Sequence, residues 1–191
     1  KHQEIRDAYV PYITQMLSLA GWSNTDAEAA AHKIFEFETA LAAVHWNNVD
    51  SRDAEKTYNL VAFDDLQAAT KTFDWSLWLA GAELERKVLD ESVVMMPSFF
   101  EGLHTVFNEE NLAEVKLWLQ WQVINNSAPY LSDDFVNTRF DFYGKTLTGQ
   151  PEMRARWKRG VQIVEGALGE AVGEIYVAKH FPPQAKERMD V

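Results

Sequence analysis

Apolar residues recur three and four positions apart along almost all of this 191-residue chain, and that regularity confines it to folds built from packed helices. Residues 4–20 carry Ile5, Tyr9, Ile13, Met16, Leu17 and Ala20, and Gly21 follows as a stop. Residues 25–44 predict a second, alanine-rich helix antiparallel to the first, with Asn24 or Thr25 as N-cap and acids in its first turn. The polar stretch HWNNVDSRDAEKTYN then precedes FDDLQAATKTF and a short segment from Asp74 to Ala80. Further helical runs are expected at 98–108, 111–125, 133–146 and 152–180; Ser132-Asp133 opens the third, and Pro151 stands near the start of the fourth. β-type patterning is confined to SVVMMPSFF, where Pro97 suits an edge or a boundary. The class is all-α, a multi-helix body with at most one short strand near 93–96.

The last long segment, RWKRGVQIVEGALGEAVGEIYV, holds glycines at 160, 166, 169 and 173, each costing a helix interior roughly 1 kcal/mol relative to alanine. On a helical wheel Gly166, Gly169 and Gly173 fall within about 60° of one another, apart from a bulky stripe of Val161, Val164, Leu168, Val172 and Ile175. Two packing faces are expected, the glycine strip admitting a neighbouring backbone closely enough to offset its cost. Gly160, off the strip, is a tolerated break near the helix start.

Composition removes several function classes. With 18 Lys and Arg against 29 Asp and Glu, the formal charge is −11, which repels a phosphate backbone, so nucleic acid is not expected as a partner. The absence of cysteine rules out disulfides, thiolate zinc clusters and a cysteine nucleophile within this chain. No apolar run approaches the roughly 20 residues of a membrane span, and KHQEIRD does not lead into a signal-type apolar core. The chain starts without Met and stops at KERMDV, a stretch that reads as mid-helix, so a piece of a longer protein is expected.

Catalytic patterns are missing from the residues themselves. His2, His32, His45, His104 and His180 include no pair one helical turn apart; the nearest imitation of a zinc motif is His32 with Glu36, read as surface or packing. There is no G-x-S-x-G, and GKTLTGQ lacks the order of a phosphate loop. Asp64-Asp65 and Asp133-Asp134 stand at helix starts and read as capping acids. Asn125-Asn126-Ser127 is a formal glycosylation acceptor. Trp75 with Trp78, and Trp118 with Trp121, are three apart and read first as core anchors, with a peptide-binding face as the alternative. No catalytic, cofactor-binding or metal-ligating residue is assigned in this chain.

SRDAEKTYN (51–59), APYLSDDF (128–135) and RWKRGVQIVEGALGEAVGEIYVAKHF (156–181), in that order, resemble the amino-terminal region of the neprilysin and endothelin-converting-enzyme family of zinc metallopeptidases. YVPYITQML, FETALA, FDW at 73–75 and LWLQWQVI at 117–124 fall in family-like places between them. The resemblance covers nearly the whole chain. It implies that residues 1–191 belong to the helical lobe of a two-lobed peptidase, whose thermolysin-like lobe carries His-Glu-x-x-His and a further Glu for zinc beyond Val191. Peptides would be the substrates, zinc the cofactor of the parent, and the missing catalytic lobe the partner of this piece, which alone would bind no zinc and cleave nothing. Animal members resemble the pattern with a cysteine where this chain has Gly160, so the cysteine-free chain resembles bacterial members, often exported to the periplasm or cell envelope. SRDAEKTYN, with both charge signs at adjacent turns, reads as a structural knot between helix pairs. A rival reading is a non-enzymatic helical module that binds a peptide or protein through the Trp pairs.

Overall fold

Two long helices open the chain, α1 (His2–Leu19) and α2 (Asn24–Ala43). α1 stops where Gly21 takes a left-handed conformation, φ +97°. The Trp22 N–H then reaches back to the Leu17 carbonyl at 3.2 Å, closing orphan acceptors of the last turn. α2 is capped by Ser23, not by Asn24 or Thr25: Ser23 is the last residue with extended backbone, and its Oγ accepts from the Asp26 N–H at 3.1 Å. Asn24, already helical, accepts from the Ser18 hydroxyl instead. The two helices meet through Ile13, Met16 and Leu17 on one side and Ala27, Ala31 and Ile34 on the other, all buried. Alanines at the contact let the helix axes approach without leaving voids. Pro11 sits inside α1; having no N–H, it cannot bond the Asp7 carbonyl.

The computed structural model describes residues 2–189. Its middle stretch holds β1 (Leu60–Ala62), α3 (Phe63–Ala69), α4 (Trp75–Gly81), β2 (Glu91–Val93) and α5 (Pro97–Gly102). The mainly helical class stands, but the single strand expected near 93–96 is a strand at 91–93 with a partner. β1 and β2 pair antiparallel, Leu60 opposite Val93 and Ala62 opposite Glu91. A lone strand would leave its N–H and C=O groups unpaired, so a partner is a physical requirement, and three residues are too few for LVA to show a period of its own. Pro97 begins α5, where its missing N–H costs nothing.

α6 (Leu112–Ser127) brings Trp121 into the core made by α1 and α2. α7 (Asp133–Arg139) continues as a π-helix over Phe140–Leu147, a widening that helical periodicity alone does not reveal. Gly144 matters there: a Cβ at that position would lie 2.4 Å from the Phe140 ring. The π-helix delivers Phe142 into the core, stacked on Tyr12 at 4.7 Å.

A second unit begins after Leu147, with Thr148. It contains α8 (Arg156–His180) and α9 (Pro183–Met189). α8 starts at Arg156 and not at 152, leaving Pro151 in the connecting segment. The close approach expected along the glycine strip is not made within this unit: a Cβ built at Gly166, Gly169 or Gly173 meets nothing within 4 Å. The helix also departs from helical geometry at Leu168, φ −132° and ψ 36°, so the two faces do not run unbroken along it. The KERMDV stretch is helical through Met189; Asp190 and Val191 lie outside the described residues, as does Lys1.

Candidate functional site

The densest polar chemistry lies where α1, α2, α6 and the π-helix converge. The Tyr9 hydroxyl donates to Glu38 Oε2 at 2.7 Å, while Glu38 Oε1 accepts from Trp118 Nε1 and Gln122 Nε2, each at 3.2 Å. Deeper in the same core, the Tyr12 hydroxyl donates to Asn125 Oδ1 at 2.6 Å, and Asn125 Nδ2 donates to the Tyr143 hydroxyl at 3.2 Å. Burial raises both the Tyr9 and Tyr12 phenols above the ordinary tyrosine value, and the Glu38 charge pushes Tyr9 further. Both phenols are therefore neutral donors at physiological pH. The network clamps helices together.

Glu38 was not singled out by sequence reasoning, and Asn125 was noted only as part of a formal glycosylation acceptor, not as a core hydrogen-bonding group. Their signal was a polar residue on a face otherwise apolar: Glu38 one turn after Ile34, and Asn125 one turn after Trp121. Because Asn125 is buried and bonded on both sides, the Asn125-Asn126-Ser127 sequence offers no accessible acceptor for a glycan in the folded chain.

The histidines are dispersed. His32 and Glu36 are both exposed on α2. His45 packs on Phe99, His104 Nδ1 lies 2.6 Å from the Glu101 carbonyl, and His180 packs on Tyr176. Among the described residues no group of three or more His, Asp or Glu side chains could hold a metal ion. The donor set does not fit zinc, whose sites need three or four converging ligands.

Asp64-Asp65 and Asp133-Asp134 occupy the first turns of α3 and α7, as expected, though neither helix has a side-chain cap bond. Asp64 instead pairs with Arg86 at 3.0 Å. SRDAEKTYN is tied within itself, to Asp50 and to the end of β2, which differs from the tie between helix pairs expected of it. Asp53 accepts from the Glu55 and Lys56 N–H groups, Lys56 pairs with Asp50 at 2.5 Å, and Asn59 Nδ2 reaches the Val94 carbonyl at 3.0 Å. That pairing draws the Asp50 carboxyl below, and the Lys56 amine above, its usual value. Of the Trp pairs, Trp121 and Trp118 anchor the core, Trp75 donates Nε1 to Thr70 Oγ1 at 2.8 Å, and Trp78 is exposed.

A cavity of about 780 Å³ forms a groove between α1 and α2 whose lining includes Arg6, Asp7, Val10, Pro11, His32 and Phe35. Gln3 Nε2 donates to Asp7 Oδ1 at 2.8 Å on its rim. It holds charges of both signs, and the Thr14 hydroxyl in its lining donates to the Val10 carbonyl at 3.0 Å. The helices around it form a packed body.

Comparison with known proteins places this body. The sequence profile of peptidase family M13 matches residues 1–191. The chain is 29% identical to a neutral endopeptidase of Lactobacillus helveticus over 175 residues, covering 92% of this chain and 27% of that protein. It is likewise 29% identical to neprilysin-2 of Drosophila melanogaster over 193 residues, covering 94% and 25%. The fold matches zinc metalloprotease Zmp1 of Mycobacterium tuberculosis, solved in complex with an inhibitor, with a TM-score of 0.91 and 38% identity, covering 99% of this chain and 28% of that one. The chain thus spans about a quarter of the length of these relatives. Family-wide sequence and a shared helical fold agree: the chain belongs to peptidase family M13, the neprilysin family, as part of its amino-terminal domain.

Proposed function

We propose that residues 1–191 are part of a zinc-dependent metalloendopeptidase that hydrolyses peptides, and that they supply the helical lobe enclosing its substrate chamber. The observation that carries this reading is the match of the family profile along the full chain, joined to the fold shared with a zinc metalloprotease. In this reading zinc is held by a catalytic lobe of the same protein expected beyond residue 191; among the described residues no group of His, Asp and Glu side chains could hold it. That lobe and the peptide substrates are the partners; the formal charge of −11 disfavours nucleic acid, and among the described residues no helix is long and apolar enough to cross a membrane. Export to a bacterial periplasm or cell envelope belongs to the same reading and is checked by fractionation of the source cell.

The test compares the complete enzyme with residues 1–191. The complete enzyme is expected to hold one zinc by elemental analysis and to cleave a fluorogenic peptide, and residues 1–191 with added zinc to do neither. Hydrolysis by residues 1–191 would overturn the division of labour; an inert complete enzyme would overturn the peptidase reading.

A further inference from the structure

The hairpin of β1 and β2 carries backbone chemistry that the rest of the lobe leaves unused. The Val94 N–H donates to the Asn59 carbonyl at 2.8 Å, which makes 59 and 94 a hydrogen-bonded pair in the observed register. Alternation along an antiparallel ladder then makes 61 and 92 the next such pair and turns the N–H and C=O groups of Glu91 and Val93 outward. Among the described residues no other backbone hydrogen bond reaches Glu91 or Val93 along that edge.

The side chains above the same edge are apolar and open to solvent. Leu60 and Val93, directly opposite each other, are 54% and 48% exposed. Continuing the register places Tyr58 opposite Met95 on the same face, both exposed, while Val94 on the other face is buried. At the far end of the strip stands Glu91, exposed and with no ion pair among the described residues.

We propose that the outer edge of β2 takes an extended peptide as a third strand, with apolar side chains beside Val93 and Met95 and a basic side chain beside Glu91. A row of outward N–H and C=O groups at strand spacing is matched by another strand and not by a helix, whose backbone groups are already paired. The unpaired Glu91 carboxylate, in a chain of net charge −11, selects a cation at that end of the peptide. The source is a peptide in trans, a substrate segment held away from its scissile bond; in that respect the inference rests on the peptidase reading.

The experiment uses the complete enzyme, stripped of zinc so that the probe survives, and a fluorescein-labelled octapeptide with one lysine and two valines at alternate positions, so that all three share one face of the strand, and threonine between them. Hydrogen exchange of the Glu91 and Val93 amides is expected to slow about tenfold at saturating peptide. Val93→Pro removes an outward N–H without touching the hairpin's own ladder and is expected to weaken binding roughly fivefold. Leu60→Lys gives a second reading of the same loss, and Val49→Lys, exposed and off the hairpin, is expected to change nothing. Unaltered exchange at Glu91 and Val93, or full affinity in both hairpin variants, overturns the proposal. Protection of those amides before peptide is added also overturns it, since another segment of the enzyme then already occupies the edge. Cleavage of a fluorogenic peptide by the zinc-loaded enzyme is scored separately, so the peptidase reading and this one fail independently.

Discussion

Glu38 is a half-buried carboxylate with three donors and no cation among its hydrogen-bond partners. Removing it strands the Tyr9 hydroxyl, Trp118 Nε1 and Gln122 Nε2 together, so Glu38→Ala is expected to lower unfolding free energy by about 2–3 kcal/mol. Urea titration followed by tryptophan fluorescence checks this; a loss under about 0.5 kcal/mol would mean that water satisfies the three donors as well as Glu38 does. The buried phenols set a pH limit on the same core. An ordinary tyrosine titrates near about 10 in the unfolded chain, and Tyr9 and Tyr12 are raised above that in the fold, first by burial. The native state therefore holds protons that the unfolded state has released once pH exceeds about 10, and stability falls from there upward while these groups leave it flat below. Fluorescence-monitored stability between pH 8 and 12 is expected to show that limb, and Tyr9→Phe with Tyr12→Phe to flatten it; an identical slope in the double variant would assign the limb elsewhere. In the sequence Tyr9 stood out only as a periodic apolar position and Tyr12 only within YVPYITQML, because a phenol and a phenyl ring satisfy the helical pattern equally and only the fold shows where the hydroxyl points.

Helices were legible because each carries its own repeat. α1, α2 and α6 are readable from Ile13, Met16 and Leu17, from the alanine run, and from Trp118 with Trp121. What escaped was whatever depends on a distant partner. β1 is three residues long and is specified by β2, thirty-one residues on, and the π-helix depends on the ring of Phe140 lying against Gly144. α8 shows the limit from the other side. Its glycine spacing suggested a covered strip, yet spacing encodes only which residues share a face, not what stands opposite, and within its unit nothing does. Gly173→Ala should therefore remove the helix penalty and raise stability by about 1 kcal/mol. Thermal denaturation of residues 1–191 reads the sign directly: a lower midpoint instead would mean that the strip has a close neighbour outside its own unit.

At the scale of the whole molecule, family membership was readable from resemblance and not from chemistry, because these residues contain no catalytic motif for sequence reasoning to mark. The same division has a physical signature. α8 exposes Trp157 at 69% and Ile175 at 70%, with Val161, Val164, Leu168 and Tyr176 also exposed, and no residue of the helix is buried. A 25-residue helix with that much apolar surface in water forgoes the burial, about 25 cal/mol per Å², that makes helices of globular proteins stable. Surfaces of this kind mark contacts with other protein. If a catalytic lobe supplies that contact in the complete peptidase, residues 1–191 alone will bind the dye anilinonaphthalene sulfonate strongly and self-associate with rising concentration, whereas the complete enzyme will do neither. Sedimentation velocity and dye fluorescence on both proteins measure the difference. Trp157→Ser with Ile175→Ser should weaken both signals in residues 1–191, and the same pair in the complete enzyme should lower its thermal midpoint. A complete enzyme that tolerates both substitutions would show that α8 remains solvated there, and the lobe would then have to be held to its partner by some other face.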